Sequence, residues 1–192
     1  MASRTRGGRP KRQERKRGLV VTEGRVTEPQ YLDLLKQVIR GPVSVTIVGM
    51  GADPARVLHE AEKKARAAGE KYDWICCVVD VDQHTTLDEV LRVARKSGEF
   101  VVVTNLKFEQ WLLWYVDEGL RELGTKELDG LMKKRGLMNG KQLSPKFPIE
   151  DYEKAVEVAR RADLSMELCR KGRCPSSSMP LLIELMQGKN LK

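Results

Sequence analysis

An apolar run that ends in acids constrains this chain more than any other feature. Trp74-Ile75-Cys76-Cys77-Val78-Val79 contains no turn former and leads into Asp80-Val81-Asp82-Gln83-His84. Such a run predicts a central β-strand covered on both faces. In extended chain, residues i and i+2 share a face, so Asp80 and Asp82 are expected to aim the same way, about 6–7 Å apart. Two carboxylates side by side repel unless positive charge lies between them. A hard divalent cation, Mg²⁺ or Mn²⁺, with carboxylate and phosphate oxygens as ligands meets that need. The blander reading makes each Asp a strand-end turn former or helix cap.

Around that strand the pattern alternates. Gly18–Thr22 predicts a strand ending at Glu23-Gly24. Thr27-Glu28-Pro29-Gln30 predicts a helix start, with Thr27 and Gln30 as a capping box, and Gly41-Pro42 the stop. A second strand spans 43–48 and turns at Gly49-Met50-Gly51, which is too short for a phosphate loop. Asp53-Pro54 reads as cap and N1 of a helix reaching Ala68. After the 74–80 strand, Thr86-Leu87-Asp88-Glu89 predicts a further capping box and a helix to Ser97. Phe100–Thr104 is the fourth strand. A helix from Phe108 follows, with Phe108, Trp111, Leu112 and Tyr115 on one face. Trp111, Trp114 and Tyr115 read as core rather than base-stacking surface.

Four β-α units with short loops predict an α/β fold: a doubly wound, mainly parallel four-stranded sheet with helices on both faces. In such sheets ligands bind at the carboxyl ends of strands, at a switch in strand order. Glu23 and Asp80/Asp82 all lie at such ends, so they can converge. From 118 onward the chain reads as a basic, helical C-terminal extension. It is expected to hold a helical or partly mobile segment over 125–137, a loop to Pro148, a helix over 149–164 and a last helix over 179–186 capped by Ser176-Ser177-Ser178.

Charge is unevenly placed. Residues 1–17 hold eight Lys or Arg and one Glu, a local +7 that leaves +1 for the rest of the +8 chain. With almost no apolar residues this stretch is expected to be a disordered basic arm. Such an arm is an electrostatic footprint for nucleic acid, through Arg12, Arg15, Lys16 and Arg17, and a solubilising tail is the alternative. Lys133, Lys134 and Arg135 extend the basic character beyond the first domain. Four cysteines without paired His spacing suggest neither zinc nor a disulfide framework, hence a reduced, cytoplasmic protein. No apolar run reaches the ~18 residues of a membrane span, and no secretory signal is evident.

Three motifs, Glu23-Gly24-x-x-Thr27-Glu28, Asp80-x-Asp82-x-His84 and Asn105-x-x-Phe108-Glu109-x-Trp111-Leu112, together resemble the RloB-like family. That family is similar in turn to Toprim domains of topoisomerases, primases and certain nucleases. The resemblance covers residues 18–117, with an echo at 174–186. It implies that Glu23, Asp80 and Asp82 bind Mg²⁺ and that Glu23 also moves a proton. RloB-like proteins are encoded beside ATPases in restriction and phage-defence loci, which implies a toxin-like nuclease acting on RNA (tRNA among the candidates) or DNA in abortive infection, with an ATPase partner. His84, beside carboxylates, suits a proton donor. Glu28 and Glu109 join the candidate catalytic set, although a helix N-terminus explains an acid equally well. The chain departs from the family pattern at Leu106, Tyr115 and Cys174. Those departures motivate a second reading, a non-catalytic nucleic-acid-binding subunit that recruits the ATPase. A homo-oligomer is left open.

Overall fold

The computed structural model describes residues 15–67, 69, 71–81 and 84–191. Strands β1 (Arg17–Thr22), β2 (Ser44–Gly49), β3 (Trp74–Asp80) and β4 (Phe100–Asn105) alternate with helices α1 (Thr27–Ile39), α2 (Pro54–Ala67), α3 (Leu87–Ser97) and α4 (Phe108–Leu113). After α4 come α5 (Thr125–Lys134), β5 (Met138–Asn139), β6 (Gln142–Leu143), a 3₁₀ turn (Ile149–Asp151), α6 (Tyr152–Ala162), β7 (Ser176–Ser177) and α7 (Met179–Met186). The main sheet has the order β2-β1-β3-β4-β7. The first four strands are parallel, and β7 is antiparallel to β4.

Why β3 must be central follows from its side chains. Cys76 and Val78 enter one core, with Tyr31, Leu32 and Leu35 of α1, Trp111 and Leu112 of α4, and Leu182 of α7. Cys77 and Val79 enter the other, with Val57 and Ala61 of α2 and Val90 and Leu91 of α3. A strand apolar on both faces is stable only between two helical layers. Trp111, Trp114 and Tyr115 are all in the core. The Tyr115 hydroxyl shares a 2.8 Å hydrogen bond with that of Tyr31, and burial pushes both phenols well above their ordinary range. The four cysteines are free. Among the described residues no helix is long and apolar enough to cross a membrane.

Several local expectations need correction. The sheet has five strands, because Ser176 and Ser177 pair with Asn105 and Thr104; the Ser177 Oγ also accepts from Met179 N at 3.4 Å at the start of α7, where Ser178 is the N-cap residue. The segment after 118 is not wholly helical: β5 and β6 form a hairpin where a loop was expected. Neither capping box forms. Val26 precedes α1 without a side-chain cap, and Thr86 does not cap α3. Thr27 Oγ1 instead donates to Lys141 O at 2.7 Å, and Gln30 Oε1 accepts from Leu143 N at 2.9 Å. The two residues clasp the hairpin, a demand made by distant chain that outweighs the local cap. Arg40, not Gly41, takes the left-handed turn after α1 (φ 46°). Asp53 does cap α2, its Oδ1 accepting from Arg56 N at 3.2 Å.

Candidate active site

β1 is followed by β2 on one side of the sheet, whereas β3 is followed by β4 on the other. The strand order therefore switches between β1 and β3, and the crevice at their carboxyl ends is where open α/β sheets bind ligands. Glu23 and Asp80 occupy those two ends. The register Thr22↔Val78, with Glu23 N bonded to Val78 O at 3.0 Å, brings the segment after β1 against the last residues of β3.

Glu23 is bonded through both oxygens. Its Oε2 accepts from the Asp80 backbone N–H at 3.2 Å, and its Oε1 lies 2.8 Å from His84 Nε2. Glu28, in the first turn of α1, is buried. Its Oε1 accepts from Gly24 N at 2.9 Å, and its carboxylate fills the space that a side chain at Gly24 would need. Glu23, Gly24, Glu28 and Asp80, with residues 51–53, line a cleft of about 370 Å³. Asp53 adds a further carboxylate to its wall.

The electrostatics of this cleft are lopsided. Burial pushes the Asp80 carboxyl well above the usual carboxylate range, and Glu28, Glu23 and Glu109 raise it further. The Phe108 N–H, at the start of α4, pulls the other way. Glu28 is also raised, by burial first, while the N–H of Gly24 opposes and Glu109 and Glu23 add to the rise. The charged groups that act on both are carboxylates. A buried carboxylate without a cation is expensive, and desolvation together with like charges favours its protonated form.

Of the sequence-derived candidates, the structure brings together Glu23, Glu28, Asp80, His84 and Glu109. Asp82 lies outside the described residues, as does Arg12. Among the described residues no three His, Cys, Asp or Glu side chains already form a metal-ligand set. The chemistry of the donors nevertheless fits a hard divalent ion: the ligands are oxygens, clustered and anionic, and among the described residues none of Glu23, Glu28 and Asp80 is paired with a Lys or Arg. The basic candidates sit elsewhere. Arg15, Lys16 and Arg17 precede or open β1, at the sheet edge opposite Glu23. There Lys16 is hydrogen-bonded to Asn190, and the Arg17 N–H donates to Asp73 at 2.7 Å. Lys133 and Lys134 end α5, and Arg135 is paired with Asp117 at 3.0 Å.

Sequence reasoning missed two features. Arg25, two residues past Glu23, lies over Gly51 and donates from Nε to Met50 O at 2.8 Å. The β5–β6 hairpin reaches the first residue of α1 and so stands beside the site. For Arg25 a signal existed, the two glycines of Gly49-Met50-Gly51. A side chain at 49 would strike Gly24 O and Pro29, and one at 51 would strike Arg25.

A family model described as RloB-like protein matches residues 18–186. That span includes the whole main sheet except Arg17. No curated protein and no solved structure matches the chain.

Proposed function

This chain belongs to the RloB-like family, and we propose that it is a Mg²⁺-dependent, Toprim-type nuclease that hydrolyses phosphodiester bonds of RNA or DNA in a phage-defence system with an ATPase partner. The observation that carries the reading is the meeting of Glu23 and Asp80 at the switch point, with the Glu23 carboxylate seated on the Asp80 N–H.

Glu23 and Asp80, with Asp82 beyond them in sequence, are the residues that would hold the ion. A divalent cation there supplies Lewis-acid stabilisation of charge on the phosphate oxygens. The chain's own residues do the rest. Water attacks phosphorus and one P–O ester bond breaks, so one proton leaves the water and one is needed by the departing oxygen. Glu23 and His84, 2.8 Å apart, are in hydrogen-bond contact and can pass that proton between them. Glu28, fixed by Gly24 N–H, holds the turn that carries Glu23. Hydrolysis needs no covalent nucleophile from the protein.

The test incubates the full chain with tRNA, single-stranded DNA and plasmid, in Mg²⁺ or EDTA. Cleavage in Mg²⁺ that is lost with EDTA, and lost in Glu23→Gln and Asp80→Asn, is the expected result. Cleavage that survives either substitution removes this mechanism.

A further inference from the structure

An acidic cleft cannot by itself attract a polyanion. At physiological salt, charges interact over about 8 Å before screening, so the carboxylates of the cleft repel an approaching phosphodiester. If the cleft acts on nucleic acid, cations must stand close around it. The body outside residues 1–17 carries only +1 in total, so such cations have to be locally placed.

Many exposed cations of the body are committed to ion pairs, such as Arg135 to Asp117, Arg160 to Glu184 and Arg161 to Glu118. Four others stand at the carboxyl-terminal edge of the sheet and have no carboxylate partner among the described residues. Arg25 is exposed, and its stem is laid over Gly51 by the Nε bond to Met50 O, beside the cleft wall. Lys141 is exposed at the hairpin turn, and its own carbonyl is gripped by Thr27 at the start of α1. Lys171 and Arg173 are exposed on either side of Gly172, whose carbonyl accepts from Asn105 Nδ2 at 3.0 Å at the end of β4. The same loop is fastened by Arg170, which bonds Asp163 and the Ser165 carbonyl. Each of the three segments is therefore anchored by a backbone carbonyl to the edge that bears Glu23 and Asp80, and each leaves a charged head in solvent.

We propose that Arg25, Lys141, Lys171 and Arg173 form a phosphate-contacting rim that lays a nucleic-acid strand across the carboxyl edge of the sheet, with one phosphate over Glu23 and Asp80. The proposal rests on the nuclease reading for that last phosphate only. It assigns backbone contacts, which fix register and carry no base specificity. It also separates substrate holding at this edge from Arg15 and Lys16, which stand at the other.

Binding and cleavage are read separately. Fluorescence anisotropy follows a labelled single-stranded RNA, and then the same sequence as DNA, in Ca²⁺ over a salt series. Neutralising four phosphate contacts (R25Q/K141Q/K171Q/R173Q) is expected to reduce the slope of log K against log salt by about 2.8, at ~0.7 per contact on a single strand. Affinity at physiological salt then falls on the order of 100-fold. The triple K141Q/K171Q/R173Q leaves the Arg25–Met50 bond intact and should show about three-quarters of the slope change. An unchanged slope in the quadruple or the triple overturns the rim, as does a wild-type chain that binds neither strand. A wild type that binds with the predicted slope yet cleaves nothing in Mg²⁺ leaves the rim standing and removes the nuclease reading. Comparing RNA with DNA distinguishes the two sources of the same backbone chemistry.

Discussion

Asp80→Asn should make the metal-free protein more stable at neutral pH, although it removes a residue the proposed chemistry needs. Burial and three neighbouring carboxylates raise the folded-state pKa of Asp80 above its ordinary 3.8. Between those two values the folded chain binds more protons than the unfolded one. Stability from this group is therefore fully present below about 3.8 and is lost as pH rises through the folded value. At pH 7 the loss cannot exceed about 4.5 kcal/mol, the distance from 3.8 to 7 at about 1.4 kcal/mol per pH unit. Asp80 keeps partial contact with solvent, which screens the charge, so the gain lies below that ceiling. For a chain of this size each kcal/mol gained raises Tm by roughly 2–4 °C. An amide oxygen can still accept from Phe108 N–H, so packing is preserved. The assay is thermal melting of both proteins in EDTA at pH 4.5, 6 and 8. The variant should gain at pH 8, and the gain should shrink toward pH 4.5. Adding Mn²⁺ should stabilise the wild type and not the variant. A variant less stable than wild type at pH 8 in EDTA, or a gain that does not change with pH, refutes the electrostatic argument.

Two further outcomes concern the surroundings of the cleft. Thr27→Val and Gln30→Leu each remove one bond to the hairpin and should cost about 1 kcal/mol, read as faster amide exchange at Leu143; unchanged exchange there means the hairpin is held by its apolar contacts alone. Gly51→Ala should cost more than Gly136→Ala in urea unfolding, although both have φ near +64°, because only at 51 does the added carbon meet a side chain, that of Arg25. A backbone penalty of about 1–2 kcal/mol is common to both, and Arg25→Ala should abolish the excess at 51 in a double-mutant cycle.

The alternation of the first four strands and helices was legible because each element's pattern agrees with its tertiary fate. Cys76-Cys77 illustrates this: adjacent residues enter opposite cores, and an uninterrupted apolar run is the trace of that. The placement of Glu23 beside Asp80 was open to the sequence only as a rule about strand ends, since nothing local says that β1 and β3 are neighbours. What could not be read were elements specified by remote partners. Ser176-Ser177 resembles a helix cap in sequence and becomes a strand because β4 offers a free edge. Thr27 and Gln30 spell a capping box, yet the hairpin more than a hundred residues away takes both side chains. Two-residue strands such as β5 and β6 bury too little to leave a period.

The replaced position Tyr115 bears on which of the two readings of this chain is stronger. If the residue at this place served chemistry, a buried phenol would argue for a disabled site. Tyr115 lies in the aromatic core, hydrogen-bonded to Tyr31 and tilted at 55° against Phe147 with ring centroids 4.7 Å apart. Tyr31 is one helical turn beyond Glu28 on α1, so the pair Tyr31–Tyr115 ties α4 to the helix whose first turn supports the Glu23 segment. A side chain in that place acts on the cleft through the position of α1, and the tyrosine does this through its bond to Tyr31. Glu23 and Asp80 are both present, and the burial that makes Asp80 costly to keep is offset only in part, by the Phe108 N–H. Both readings share the gain of Asp80→Asn in EDTA, but a subunit that only bound nucleic acid would take up no Mn²⁺, so stabilisation of the wild type by Mn²⁺, absent from Asp80→Asn, discriminates between the readings before any substrate is known.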